Sequence, residues 1–349
     1  MRKVSWLLIL LVVLSLLPMN GLAEVKRYEA SFIDVFDTYS QVVVYTDDKD
    51  FAQSVAQLVH DELKSYHQLY DIYNEYDGLT NLKTVNDSAG VAPVKVDQKL
   101  IDLMVFAKEM YMLTGGRMNV AMGSVLSIWH DYRTEGIDDP EHARLPEMDA
   151  LKAASAHTDI EGLVIDEAAS TLYLTDPEMR LDVGAVAKGY AVERVAQTLI
   201  EKGVTSALLS IGGNVRSIGV RADGTVWRVS IQNPDLTAEN QDLTKLSLED
   251  LSLVSSGSYQ RYYTVDGKQY HHIIDPDTLM PAEYFWAVSI ITQDSGLADA
   301  LSTALYTLPL EKGKALIDSL DGVEALWVTH DGEILRSDGF IAMAHEDVQ

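Results

Sequence analysis

Three of the Asp-Gly dipeptides in this chain, Asp223-Gly224, Asp266-Gly267 and Asp331-Gly332, lie between short runs of strand-forming residues and constrain it more than any other feature. A two-residue reversal needs left-handed backbone at its centre, which Asp tolerates and Gly adopts freely, and its twist matches that of paired strands. Each dipeptide therefore predicts a hairpin, and the chain from Leu163 onward reads as mostly antiparallel sheet. The opening third reads differently. Gln41 to Tyr45 looks like a strand, but Phe51 to about Tyr70 places Val55, Leu58, Val59, Leu63 and Leu69 near helical spacing. Asp97 can cap a second helix carrying Leu100, Leu103, Met104 and Ala107, which Gly115-Gly116 stops. Helices return at about Val186 to Lys202, Leu297 to Leu308 and Leu310 to Leu320. Sheet and helix do not alternate strictly, so the fold class is α+β, with largely antiparallel or mixed sheets and flanking helices. No repeat, low-complexity tract or linker divides the chain, and residues 24–349 read as one compact unit with two lobes at most.

The first 23 residues stand apart: Arg2 and Lys3, an apolar run from Val4 to Leu17, then Gly21 and Ala23. This is the pattern of an export signal, too short to span a bilayer and ending in the small residues a signal peptidase accepts, with cleavage expected after Ala23. A periplasmic or extracellular protein is expected, peripheral to a membrane at most. Lys and Arg number 27 against 53 Asp and Glu, a net charge of −26, which argues against nucleic acid and favours a metal or a positively charged partner. There is no cysteine. Disulfides, a thiolate nucleophile, a cysteine zinc site and a lipid-modified N-terminal cysteine are excluded together, so a soluble rather than lipid-anchored form is expected.

Four segments carry chemistry. In the first, Leu181 to Tyr190, a strand end passes through a glycine turn into a helix whose apolar stripe is Ala191, Val192, Val195, Ala196 and Leu199. Lys188 falls on that stripe in the first turn, at the positive end of the helix dipole, where a cation is out of place unless an anion sits beside it. A lysine snorkelling to the surface, or pairing with Asp182, explains it as well. In the second, Ser295 to Leu305, Asp299, Ser302 and Thr303 fall at i, i+3 and i+4 opposite Leu297, Leu301, Ala304, Leu305 and Leu308. Three hard oxygens suit magnesium, which keeps waters and shares ligands with a substrate phosphate; an ordinary wet helix face is the alternative.

The third, Tyr270 to Pro276, ends the hairpin built on Asp266-Gly267. Strand neighbours point to opposite faces, so at most one of His271 and His272 serves a given site. Asp275-Pro276-Asp277 lacks the later glycine and glutamate of a calcium loop. The fourth, Leu208 to Asn214, ends in Gly212-Gly213, which either lets a phosphate approach the backbone or simply turns the chain. Ser255 to Tyr259 lacks the second glycine and the helix of a hydrolase elbow.

Together these segments resemble the ApbE family, the FAD:protein FMN transferases, from about Ser31 to Phe340. The family's Asp-x-Gly-Ala-x-Ala-Lys-Gly-Tyr stretch is met by Asp182 to Tyr190 and its Gly-Gly-Asn strand by Gly212 to Asn214. Its Ser-Gly-x-Tyr-x-Arg segment is met by Ser256 to Arg261, its His-Ile-Ile-Asp-Pro motif by His272 to Pro276, and its Ala-Asp-Ala-x-x-Thr-Ala helix by Ala298 to Ala304. Five motifs in order are specific. Two places depart: the family's Met-Gly-Thr is Phe36-Asp37-Thr38 here, and Arg117-Met118-Asn119 is an imperfect copy of an Asp-containing run.

The resemblance implies a single unit with a central cleft and a magnesium-dependent transferase that splits FAD. The FMN half passes to a Thr or Ser of an exported flavoprotein carrying a Ser/Asp-Gly-Ala-Thr/Ser motif, and AMP is released. It implies magnesium on the main-chain oxygen of Ala185 and on Asp299 and Thr303, and flavin or adenine contacts at Tyr73, Met118, Asn119, Asp182, Lys188, His272 and Ile273, with Gly212 and Gly213 as phosphate-approach positions. Lys188 would steady developing charge. His272, whose unperturbed titration lies near neutrality, is the candidate base, with Asp182 its competitor. An FAD pyrophosphatase yielding FMN and AMP, or a flavin-binding protein without turnover, remain the other readings.

Overall fold

The computed structural model describes residues 24–344; the export signal read over residues 1–23 lies outside them. The chain opens with a hairpin of β1 (Lys26–Val35) and β2 (Thr38–Thr46). Only part of β2 is predicted from sequence, because β1 is an edge strand whose exposed and half-buried positions include few aliphatic residues. Then come α1 (Lys49–Tyr70), α2 (Leu82–Asp87), the short β3 (Val94–Lys95), α3 (Gln98–Leu113), α4 (Gly123–Asp138) and α5 (Met148–Ser155). Asp48 caps α1, and Asp97 caps α3 as its position predicts. Strands β4 (Leu163–Asp166) and β5 (Thr171–Leu174) lead to α6 (Ala187–Glu201). A run of strands follows: β6 (Ala207–Ile211), β7 (Asn214–Ile218), β8 (Trp227–Gln232), β9 (Asp242–Leu248), β10 (Ser252–Gly257), β11 (Tyr262–Val265), β12 (Lys268–His271) and β13 (Ala287–Thr292). The chain closes with α7 (Ser295–Tyr306), α8 (Leu310–Asp318), β14 (Glu324–Val328), β15 (Ile334–Arg336) and α9 (Phe340–Ala344).

Eight strands form the main sheet in the order β1-β2-β6-β7-β10-β13-β14-β15, with every neighbouring pair antiparallel. A small β3-β5-β4 sheet and two hairpins, β8-β9 and β11-β12, stand beside it. The fold class is α+β, as expected. Of the three Asp-Gly dipeptides read as hairpins, two behave as predicted. Asp266 and Gly267, both at positive φ, close β11 onto β12, and Asp331-Gly332 lies in the loop joining β14 to β15. Asp223-Gly224 does not. It makes a tight turn between β7 and β8, but those strands pair with other partners, so the turn carries the chain from one sheet to another. Turn chemistry specifies the local reversal and not which strands the flanks will join.

The core explains the order. Val42 and Val44 of β2 and Leu209 and Ile211 of β6 pack with Val55, Val59 and Leu63 of α1 and with Ala191, Val192, Val195 and Leu199 of α6. Farther along, β13 is buried over its whole length. Val288 and Ile290 meet Ala298, Leu301 and Leu305 of α7 on one face, while Ala287 and Ile291 meet Leu246, Leu248 and Phe340 on the other. Each such side chain contributes about 1.5–3 kcal/mol when fully buried, so α6 and α7 are held down on the sheet side by side.

Where these two helices cross, Gly189 is indispensable. A Cβ there would lie 2.3 Å from the Ser295 carbonyl oxygen and 2.4 Å from Asp299 Cβ. A second brace is the buried Glu193 of α6, whose Oε2 accepts from Arg216 Nε at 3.1 Å and from the Ser295 N–H at 3.0 Å, tying α6 to β7 and to the first turn of α7. Gly189→Ala is expected to force the helices apart and to lower stability by about 1–3 kcal/mol, read as a lower thermal midpoint. An unchanged midpoint would show that the crossing is not close-packed.

Candidate functional site

A cleft of about 620 Å³ opens between the main sheet and the helical first half of the chain, a size usual for small-molecule sites. Every site residue expected from sequence lines it. Tyr73, Met118 and Asn119 come from the helical half, and Asp182, Ala185 and Lys188 from the turn into α6. Gly212 and Gly213 come from the β6-β7 turn, His272 and Ile273 from the chain beyond β12, and Asp299 and Thr303 from α7.

The floor is Asp299, only 5% exposed. Its Oδ2 accepts the Gly189 N–H at 2.8 Å and Asn214 Nδ2 at 3.2 Å, while Oδ1 takes no hydrogen bond from the described residues. The α6 N-terminus has no side-chain cap of its own, so Asp299 supplies one from the neighbouring helix. Burial raises the Asp299 carboxyl pKa, against the opposing pull of the Lys188 charge and the two donors. The face of α7 opposite its apolar stripe is thus buried floor and not a wet surface. Of the three oxygens grouped there by spacing, Ser302 does not reach the cleft. Its hydroxyl donates to the Asp299 carbonyl oxygen at 2.9 Å and shares a 2.8 Å bond with Ser256 Oγ. Thr303 does line the cleft, 3.5 Å from Ser256 Oγ.

These donors fit magnesium. Among the described residues no three His, Cys, Asp or Glu side chains cluster as a metal site. Asp299, with an oxygen that takes no hydrogen bond from the described residues, Thr303 with its hydroxyl and Ala185 all border the cleft, and a sparse oxygen set of this kind is what magnesium accepts when substrate phosphate and water complete its shell.

Asp182 stands on the adjacent wall. No strand forms before the turn, where sequence reads a strand end; only Arg180 makes an isolated bridge, and the segment is clamped because Asn86, a buried residue of α2, bonds both main-chain groups of Leu181 and the Asp182 N–H donates to the Val120 carbonyl oxygen at 2.8 Å. Asp182 Oδ1 accepts the Gly184 N–H at 2.8 Å, and loss of water raises the carboxyl pKa. Asn119 uses its side chain on the Ala121 N–H and the Thr158 carbonyl oxygen, and Met118 is buried, so both position this loop. Gly212 and Gly213 are a hairpin turn that also borders the cleft. A Cβ on Gly212 would lie 2.6 Å from Thr38 Oγ1.

The two histidines divide as strand geometry predicts. His271 Nε2 lies 2.9 Å from the Ala282 carbonyl oxygen and its ring meets Tyr306, whereas His272 lines the cleft. The expectation that His272 titrates near neutrality is overturned. Burial, then the charges of Arg261, His271 and Arg133, push its pKa down to about 3. At pH 7 the ring is neutral and able to accept a proton, but it is a weak base. Arg261 contacts it through its main-chain oxygen, 3.3 Å from His272 Nδ1.

Several lining residues are not found from sequence. α4 presents Leu126, His130 and Arg133 to the cleft at i, i+4 and i+7, a stripe that its low amphipathicity conceals. His130 stacks on Tyr73 with ring centroids 4.8 Å apart, and Arg133 Nη2 lies 3.1 Å from His130 Nδ1. Thr38 and Tyr39 enter from the β1-β2 turn, whose central residues Phe36 and Asp37 both have positive φ. Phe36 in that region is strained, and its N–H is held by His67 Nδ1 at 3.1 Å. Asp275 and Asp277 pair with Arg117, which accounts for the acids of the Asp275-Pro276-Asp277 run.

An antiparallel α+β frame with a buried carboxylate, a lysine at a helix N-terminus and glycine turns around one cleft is suited to a phosphate-bearing ligand. Comparison with known proteins narrows this: residues 36–327 match the ApbE family, and the chain belongs to it. It is 33% identical over 336 residues to the FAD:protein FMN transferase of Treponema pallidum, covering 92% of this chain and 90% of that one. It is 31% identical to the protein of the same name from Klebsiella pneumoniae, covering 84% and 87%. The ApbE protein of Thermotoga maritima superposes with a TM-score of 0.79 at 27% identity, covering 91% of this chain and 99% of that one. The flavin transferase ApbE of Vibrio cholerae gives 0.76 at 24%, covering 91% and 99%.

The depressed His272 pKa makes the neutral ring the stable form above about 3. In the ligand-free protein its NMR ring signals are expected to stay constant between about pH 5 and 8, and a titration midpoint near neutrality would contradict this account of its surroundings.

Proposed function

We propose that this chain is an exported FAD:protein FMN transferase, acting in the periplasm or outside the cell after removal of residues 1–23. It joins the FMN half of FAD through a phosphoester to a Thr or Ser of a second exported protein and releases AMP. The observation that carries the reading is a single cleft in which Asp299, Lys188, Asp182 and His272 meet, within a chain matched along most of its length by relatives of that name.

In this reading the flavin and adenine lie along the walls that include Tyr73, Met118, Asn119 and Ile273, and the diphosphate lies over the α6 N-terminus. Asp299, Thr303 and the Ala185 main-chain oxygen would hold magnesium, which would offset negative charge on the phosphates. Lys188 adds fixed positive charge where charge accumulates as the diphosphate breaks. The acceptor hydroxyl oxygen bonds to the FMN phosphorus, and the bond from that phosphorus to the bridging oxygen breaks. AMP departs with that oxygen and its electron pair, while the hydroxyl proton passes to His272 or Asp182. A hydroxyl in a Ser/Asp-Gly-Ala-Thr/Ser motif is the proposed acceptor.

The test incubates purified protein with FAD, magnesium and a peptide carrying that motif, then weighs the peptide. Asp299→Ala is expected to lower FMN attachment and AMP release at least about a hundredfold, the scale of a lost charge-stabilising group. Full activity in that variant would remove the metal assignment. FMN and AMP released with an unmodified peptide would identify a pyrophosphatase instead, and a yellow protein leaving FAD intact would identify a binding protein.

A further inference from the structure

Thr303 is unusual for a hydroxyl in a helix. A Ser or Thr inside a helix commonly turns its proton back onto a carbonyl oxygen three or four residues earlier, and the neighbouring Ser302 does so with the Asp299 carbonyl oxygen at 2.9 Å. Thr303 does not. Among the described residues its Oγ1 has one hydrogen-bond partner, Ser256 Oγ on β10 at 3.5 Å, and it lines the cleft. Ser256 stands on the stretch of β10 that β7 leaves uncovered, since those two strands pair only at Ser252 and Leu253, and it lines the cleft as well. Behind it, Ser256 Oγ lies 2.8 Å from the buried Ser302 Oγ.

The number of protons fixes the direction of these bonds. A hydroxyl has one proton to give and two lone pairs, and a carbonyl oxygen only accepts. Ser302 gives its proton to the Asp299 carbonyl oxygen, so the proton between Ser302 and Ser256 comes from Ser256. Ser256 then has none left, and its bond with Thr303 is donated by Thr303. Donation runs from Thr303 to Ser256, to Ser302 and to the main chain of Asp299. Both lone pairs of Thr303 Oγ1 are left unengaged, as a hydroxyl that binds a cation requires. The Asp299 carboxylate is arranged in the same way, with the Gly189 N–H and Asn214 Nδ2 both donating to Oδ2 and none to Oδ1.

We infer that Ser256 is a positioning residue: anchored by Ser302, it takes the Thr303 proton and so holds that hydroxyl in the one orientation in which its lone pairs can receive a divalent cation. The inference rests on the flavin-transfer reading, in which the cation is magnesium. A cation on Thr303 would make its proton a stronger donor, so the 3.5 Å contact is expected to shorten on metal binding.

The test uses the full chain with saturating FAD and Mn2+, whose EPR signal gives the free metal concentration and hence the dissociation constant. FAD affinity is measured separately in EDTA by flavin fluorescence. Ser256→Val is expected to weaken Mn2+ binding roughly tenfold, the lower end for a group behind a metal ligand, and to leave FAD binding in EDTA unchanged. Ser256→Thr, of the same size but with a hydroxyl, is expected to bind Mn2+ as the wild type does. Ser302→Ala covers a failure of Ser256→Val to fold, because alanine suits a helix and residue 302 does not reach the cleft. It frees the Ser256 proton to turn onto Thr303, and Mn2+ binding is again expected to weaken. Unchanged Mn2+ binding in either folded variant, or a Ser256→Thr that behaves like Ser256→Val, overturns the inference and leaves flavin transfer standing. Equal loss of Mn2+ binding and of FAD binding in EDTA makes Ser256 part of the cleft wall and also overturns it. If Mn2+ binding depends on Ser256 and Ser302 as described, but the wild type with magnesium neither modifies the acceptor peptide nor releases AMP, the positioning role stands and the flavin reading falls.

Discussion

The site depends on one hydrogen bond between helices. The Gly189 N–H at the start of α6 donates to Asp299 Oδ2 on α7 at 2.8 Å, and nothing on α6 itself caps that end. The bond satisfies a helix donor that would otherwise be orphaned in a buried place. It also fixes a carboxylate whose other oxygen is left for a ligand, and it sets Lys188, one residue earlier, beside that carboxylate. The approach is possible only because residue 189 has no Cβ. Glu193, Arg216 and the Ser295 N–H hold the same two helices one turn along. A buried ionic brace of this kind costs about 3–5 kcal/mol when one partner is removed, so it makes the crossing angle hard to change.

The second constraint is the contrast between surface and cleft. The molecule carries a net charge of −26, but the cleft walls hold Lys188, Arg133 and Arg261 and a neutral His272. Repulsion from distant surface acids fades over about 8 Å at physiological salt, so an anionic ligand at the cleft mouth responds mainly to these near cations. The same loss of water that lowers the pKa of His272 and Arg133 raises those of Asp182 and Asp299. All four groups are driven toward their neutral forms, a state that a charged ligand reverses by supplying the missing counter-charge.

Much of this was readable in advance. The apolar stripe of α6, the cap of α3, two of the three Asp-Gly hairpins and the facing of the two histidines are consequences of short-range rules and appear as expected. All twelve anticipated site residues line the cleft, because the motifs mark places where the backbone must turn tightly or a polar group must sit on an apolar element. The misses have reasons of a different kind. β1 lacks a strong pattern because it is an edge strand, and α4 because its cleft-facing and core-facing stripes together leave little amphipathic contrast. Asp223-Gly224 turns the chain without pairing the strands around it, and Ser302 is drawn away by Ser256 on β10, which is 46 residues distant in the chain.

The amino-acid order by itself determined the α+β class, the family, the turn positions and the identity of most residues around the cleft, since each follows from local backbone preference, periodicity or motif. Only the tertiary structure decided what those residues have become electrically. It brought α4 to the cleft wall, removed water from four titratable groups and lent the start of α6 a cap from α7. Those effects depend on distance and burial between segments far apart in the chain, and no local pattern encodes them.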